Sequence, residues 1–173
     1  VDLLAAWRAV LGDVGKPAPA VDWPAVESRL GTALPADYRV LAENYPGLSV
    51  DDFMAVFHVV SEKDDEFDLL EFAEQTLGNW RKLRVDVPRA VPHPLYPEPG
   101  GLLPWGVTDN NDFLCWLMTG EPDEWPVVVT TVHEWWTYEG TMLSFLTGIL
   151  RRDIVCPLLT EDFPDEDYEV TAD

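Results

Sequence analysis

His133-Glu134 is the nearest approach to a metalloprotease signature in this chain. A zinc helix of the HExxH kind sets two histidines one turn apart on one face, with the glutamate as base. Here the position four residues on is Thr137, so the second ligand is missing. His58 stands in an apolar stretch and His93 between prolines, which read as a satisfied core histidine and an exposed loop residue. Cys115 and Cys156 form no CxxC or Cys/His spacing, and burial of Cys115 in an apolar strand would keep its thiol protonated and inert. No GxSxG, GxGxxG or Gly-rich phosphate loop occurs. Asp109 and Asp112 could pair for acid–base or metal chemistry, but Asp109-Asn110-Asn111-Asp112 suits a hairpin turn and lacks calcium-loop spacing. Eight tryptophans could cage a sugar or a cation. Trp80, Trp116 and Trp136 lie on apolar stripes that suit packing, while Trp105 and Trp135 fit either reading. The residues thus predict no enzyme, no metal and no cofactor.

What remains is charge. The 173 residues hold 32 Asp+Glu against 11 Lys+Arg, a formal net charge of −21. Such a surface repels phosphate backbones and anionic lipids and attracts basic proteins at long range. It argues against direct nucleic-acid or membrane binding and for a basic protein partner, although solubility alone also explains acidity. No run approaches the ~20 apolar residues of a membrane span. The opening VDLLAAWRAVLGD has no basic leader, so the default expectation is a cytoplasmic location.

Several elements must position these side chains. Leu3, Leu4, Trp7, Val10 and Leu11 recur at helical spacing, followed by a breaker-rich linker to residue 20. Asp22 before Trp23-Pro24 starts a second short helix, and Pro35 opens a third through Tyr45. The run Phe53 to Val60 reads as one buried strand. Leu69, Leu70, Ala73, Leu77, Trp80 and Leu83 mark a longer helix from Phe67 to Arg84, with acids at its start and bases at its end, as the helix dipole favours. A Pro-rich loop precedes a hairpin of LLPWGVT and FLCWLMTG, then one or two further strands over VVVTTV and EWWTYEG. Thr141 caps a last helix, and the segment from Thr160, rich in acids and devoid of bases, reads as a solvated tail. Helices first, antiparallel strands in the middle and a closing helix predict an α+β fold.

The ordered pieces Trp23, Glu27, Leu30 and Gly31; Leu34, Pro35, Asp37, Tyr38 and Arg39; Leu103, Pro104 and Gly106; Asp112, Leu114 and Trp116; and Tyr138, Gly140, Phe145 and Leu146 resemble the SUKH superfamily. That superfamily includes yeast cell-wall assembly regulators and many bacterial immunity proteins. The resemblance implies a mixed, largely antiparallel sheet flanked by N-terminal helices, a middle helix and a C-terminal helix. It divides the chain into a helix and linker over 1–20, one SUKH-like domain over 21–159 and an acidic tail over 160–173. It gives Trp23, Glu27, Leu34, Pro35, Tyr38, Gly106, Asp112, Trp116, Tyr138, Phe145 and Leu146 mainly structural roles. It also implies binding instead of catalysis: bacterial members typically neutralise a toxin, often a nuclease, whose basic groove an acidic inhibitor can fill. The expected partner surface is Asp64, Asp65, Glu66, Asp68, Glu71 and Glu74, with Asp162 to Glu169 as the second choice and a solvated helix face as the plainer alternative. The competing function is a regulatory or scaffolding adaptor for endogenous proteins.

Overall fold

A computed structural model describes all residues from Val1 to Asp173. The helix α1 (Leu3–Leu11) is capped by the Asp2 carboxylate, and α2 (Trp23–Leu30) by Asp22 with Pro24 in its first turn. Gly31 ends α2 in the left-handed conformation, and α3 (Ala36–Asn44) follows the Leu34-Pro35 corner. Two three-residue strands come next, β1 (Leu48–Val50) and β2 (Met54–Val56). The long helix α4 (Leu69–Asp86) then leads through the Pro-rich loop to β3 (Leu102–Thr108) and β4 (Phe113–Leu117). After a single 3-10 turn at Pro122–Glu124 come β5 (Val127–Thr130), β6 (Trp135–Tyr138), α5 (Met142–Leu150) and β7 (Val170–Ala172).

The seven strands form one sheet in the order β6-β5-β4-β3-β2-β1-β7. Every strand pairing is antiparallel, and the one parallel contact is the isolated bridge Leu95–Leu102. The fold is α+β, as predicted. Successive side chains of a strand point to opposite faces, and both faces here are covered. Leu103, Trp105, Leu114, Trp116, Val127 and Val129 join the core under α1, α3 and α5. Leu102, Cys115 and Val128 instead meet Leu77 and Trp80 of α4. Pro104 is tolerated in mid-sheet because the register shifts beside it, between Pro104 and Gly106. A Cβ at Gly106 would sit 2.7 Å from the Ala55 carbonyl oxygen, so only glycine allows β2 and β3 to close here.

Two sequence expectations need correction. The apolar run from Phe53 to Val60 is not one strand. Asp51 and Asp52 both adopt left-handed backbone (φ 54° and 48°), making the tight turn of a β1–β2 hairpin, and the strand ends at Val56, with one last backbone bond from Phe57 N–H to the Trp105 carbonyl. Nor is 160–173 a solvated tail. Val170–Ala172 pairs with β1, and the Asp51 carboxylate accepts the Asp165 and Glu169 N–H groups at 2.9 and 2.8 Å. Tyr168 donates to the Val10 carbonyl at 2.6 Å, Arg152 to the Pro164 carbonyl, and Phe163 packs on Phe53. An acidic composition lacks the apolar periodicity of a strand, yet backbone pairing needs none. The first helix is likewise part of the body, since Trp7 is fully buried and donates from Nε1 to the Asp37 carbonyl at 2.8 Å.

Candidate protein-binding surface

The acidic run lies where β2 gives way to α4. His58 anchors the near end: its buried ring lies 2.8 Å from the Ala42 carbonyl through Nε2, while Nδ1 lies 2.9 Å from the Val60 nitrogen. The same Nδ1 lies 3.2 Å from the Val60 carbonyl oxygen, so whether it accepts or donates goes with the tautomer. Burial pushes its pKa down; the Ala42 and Val60 carbonyls and the Glu62 charge pull the other way. The His58 carbonyl in turn accepts the Leu69 N–H at 2.8 Å, closing the base of the loop.

From that loop into α4 the six predicted residues divide by what they touch. The Asp68 carboxylate accepts the Glu71 N–H at 2.8 Å while the Glu71 carboxylate accepts the Asp68 N–H at 3.0 Å, a reciprocal cap on α4. Asp68 also pairs with Arg29 at 3.1 Å, and Glu74 lies 3.9 Å from the same guanidinium. Glu66 holds Lys63 at 2.8 Å. Asp64 and Asp65 are exposed and make neither an ion pair nor a side-chain hydrogen bond. Beside them Phe67 is 52% exposed, an apolar ring in an acidic loop. Sequence reading took Phe67 as the start of α4; the signal it missed is that the capping residue, Asp68, follows it.

The second acidic segment ends against the first. A groove of about 280 Å³ runs between the loop and the facing chain, with Phe57, Val60 and Phe67 on one side and Lys16, Gly47 and Asp173 on the other. Lys16 spans it, donating to the Asp173 carbonyl at 2.9 Å and lying 3.6 Å from Glu62. Burial, and then the charge of Glu66, push the Asp173 carboxyl upward. Asp162, Asp165, Glu166, Asp167 and Glu169 keep their side chains in solvent, but their backbone is tied down by Asp51 and β7.

The family-motif residues sit elsewhere, chiefly inside. Tyr38 donates to the Phe57 carbonyl at 2.9 Å and meets Trp116 edge-on at 5.2 Å. Leu34, Pro35, Phe145 and Leu146 are buried, and Asp112 accepts the Thr108 hydroxyl at 2.7 Å within the β3–β4 turn. Trp23 donates to Glu43 at 2.9 Å under the Arg39 guanidinium, which pairs with Glu27 at 3.2 Å. Tyr138 is half-buried against Phe145. Asp37 carries a role no spacing rule announces. Buried, with its carboxyl pushed upward by burial above all, it accepts the N–H of Leu143 at 2.8 Å and so fastens α3 to the first turn of α5.

The chemistry considered from sequence finds no assembled centre. Cys115 is fully buried and its thiol pKa is raised by burial; Cys156 is buried too. His133 is exposed in the β5–β6 turn and His93 lies against Trp135 at 5.4 Å. Among His, Cys, Asp and Glu no group of three is arranged to hold a metal ion. No helix is long and apolar enough to cross a membrane. Trp105 and Trp116 are core residues, but their indole N–H groups have no acceptor.

Comparison with known proteins finds one family model, SUKH_6, described as SMI1-KNR4 cell-wall, which matches residues 22–146. No curated protein and no solved structure matches. The matched span runs from the cap of α2 into α5 and takes in six of the seven strands of the sheet, and the chain belongs to the SUKH superfamily.

Proposed function

We propose that this domain is a cytoplasmic, non-enzymatic protein-binding module that neutralises a basic toxin by covering the toxin's charged groove. The observation that carries this reading is the loop Asp64 to Phe67, where the unpaired carboxylates of Asp64 and Asp65 share a short exposed stretch with a half-exposed aromatic ring. Aromatic anchors ringed by polar groups supply much of the energy of protein interfaces. Unpaired acids steer a basic partner and raise its association rate by roughly 10- to 1000-fold. Asp68 and Glu71 cap the helix that follows the anchor, and Asp68 and Glu74 face Arg29. Membership of the SUKH superfamily supports a binding role.

The test is co-expression with a basic toxin encoded beside this protein. Growth should be rescued, and a stoichiometric complex should form at low salt and weaken as salt rises. Absence of both rescue and complex would discard toxin neutralisation. A stable complex with an endogenous protein and no toxin would favour the adaptor reading.

A further inference from the structure

The strand β6 ends the sheet, with β5 on one side and no strand on the other. Natural sheets blunt such edges with charges, prolines or bulges inside the strand, because an open row of N–H and C=O groups invites pairing. This strand, Trp135-Trp136-Thr137-Tyr138, has none of these, pairs with β5 in unbroken register, and leaves all four residues at least partly exposed.

Hydrogen-bond alternation says which groups face out. Leu117 N–H donates to the Pro126 carbonyl, and Thr131 N–H to the Glu134 carbonyl. In an antiparallel ladder bonded and unbonded pairs alternate. Pro126, Val128 and Thr130 therefore turn their backbone groups to β4, and Val127 and Val129 turn theirs to β6, where they meet Tyr138 and Trp136. Trp135 and Thr137 are left to present their N–H and C=O outward. On one face Trp135 is backed by Trp80 and His93; on the other Trp136 and Tyr138 are backed by Phe145. Aromatic rings thus back both faces of the open edge.

The flanking residues select the occupant. Glu134 and Glu139 bracket the strand and are exposed. A second copy pairing β6 with β6 antiparallel must oppose outward residues, Trp135 to its mate's Thr137, which brings each Glu134 one position from its mate's Glu139 at both ends of the pair, and each copy carries a formal charge of −21. We propose that β6 is a docking edge for an extended protein segment with Lys or Arg at both ends, which adds to the sheet through the backbone of Trp135 and Thr137. This edge lies at the far end of the strand order from β1 and β7. It stands independently of the acidic loop.

The experiment uses the intact protein and a short peptide of alternating valine and threonine with lysines at both ends, beside the same peptide ended by glutamates. Amide hydrogen exchange read by NMR should slow at Trp135 and Thr137 with the lysine peptide and not with the glutamate one. Thr137→Pro removes an N–H that β5 does not use, and should weaken lysine-peptide binding at least about tenfold. Should that variant lose its fold by circular dichroism, Glu134→Lys with Glu139→Lys replaces it and should invert the preference between the two peptides. Loss of the fingerprint at both amides in wild type, equal binding by folded Thr137→Pro, or an uninverted preference overturns the proposal. Protection of those amides without peptide that grows with protein concentration overturns it in favour of a second copy. Reversing the charges of Asp64, Asp65 and Glu66 should leave the exchange pattern unchanged, which separates failure here from failure of the acidic-loop reading.

Discussion

The two acidic segments of this protein have similar compositions and opposite architectures. In the loop from Asp64 to Phe67 the backbone is held at its base and by one turn bond, Glu66 N–H to the Lys63 carbonyl, and the Asp64 and Asp65 side chains are free. From Asp162 to Glu169 the side chains are also in solvent, but the backbone is clamped by the Asp51 carboxylate and continues into β7. Acidic residues are cheap to solvate in either place. What differs is whether the main chain finds partners, and that decides which segment a protein partner can reshape and which it must accept as built.

The largest effect that should separate the two is Asp51→Asn. An amide has one acceptor oxygen and would turn its NH2 toward one of the two N–H donors now bound, costing about 2 kcal/mol for a charge-assisted bond lost and a donor left facing a donor. Denaturant titration should register the loss, and exchange should quicken at Asp165 and Glu169 while loop amides stay as they were. Next comes replacement of Asp64, Asp65 and Glu66 by lysine. Association with a basic partner should slow about tenfold at low salt, with stability changed by less than about 0.5 kcal/mol, because only Glu66 makes a contact. A stability loss as large as that of Asp51→Asn would erase the distinction. Asp68→Ala should cost about 1 kcal/mol, since it removes one arm of the α4 cap, and would show that even within the predicted patch the acids divide into supports and free charges.

Legibility in the sequence followed the same line. Elements with their own periodicity or caps were readable: α1 from its apolar spacing, α5 from Thr141, and the β3–β4 hairpin from its polar tip. The short strands were not, because Leu48–Val50 and Val170–Ala172 hold too few residues for alternation to register and exist by pairing with each other. Asp51-Asp52, just before the run read as one strand, is the turn inside a hairpin, since left-handed backbone at two aspartates is set by strands closing on both sides. At the candidate site the charge run was plain, but the division of labour inside it was not. That Asp68 caps α4 while reaching Arg29 depends on a residue 39 positions away, and no local rule carries such a contact.

The smallest expected effect bears most directly on the loop. His58 is bonded at both ring nitrogens, and its pKa lies below the ordinary 6.5, chiefly through burial. In the unfolded chain the ring takes a proton near pH 6.5, and in the folded one only at lower pH. Between those two values the unfolded state binds more protons, so folding stability is lost as pH falls through the window. His93, lowered by burial, acts with the same sign; Asp37 and Asp173, raised by burial, act with the opposite one. Subtracting the pH profile of His58→Gln from that of wild type cancels those three and leaves His58 alone. Where the protein loosens is the sharper measurement. Burial disfavours the charged ring in the folded chain, so exchange at Val60 and Leu69 should quicken in wild type as pH drops, after correction for intrinsic rates, with Asp165 and Glu169 unmoved. Equal loosening in both segments would mean that loop and strap open as one unit, and the contrast between them would hold for composition only.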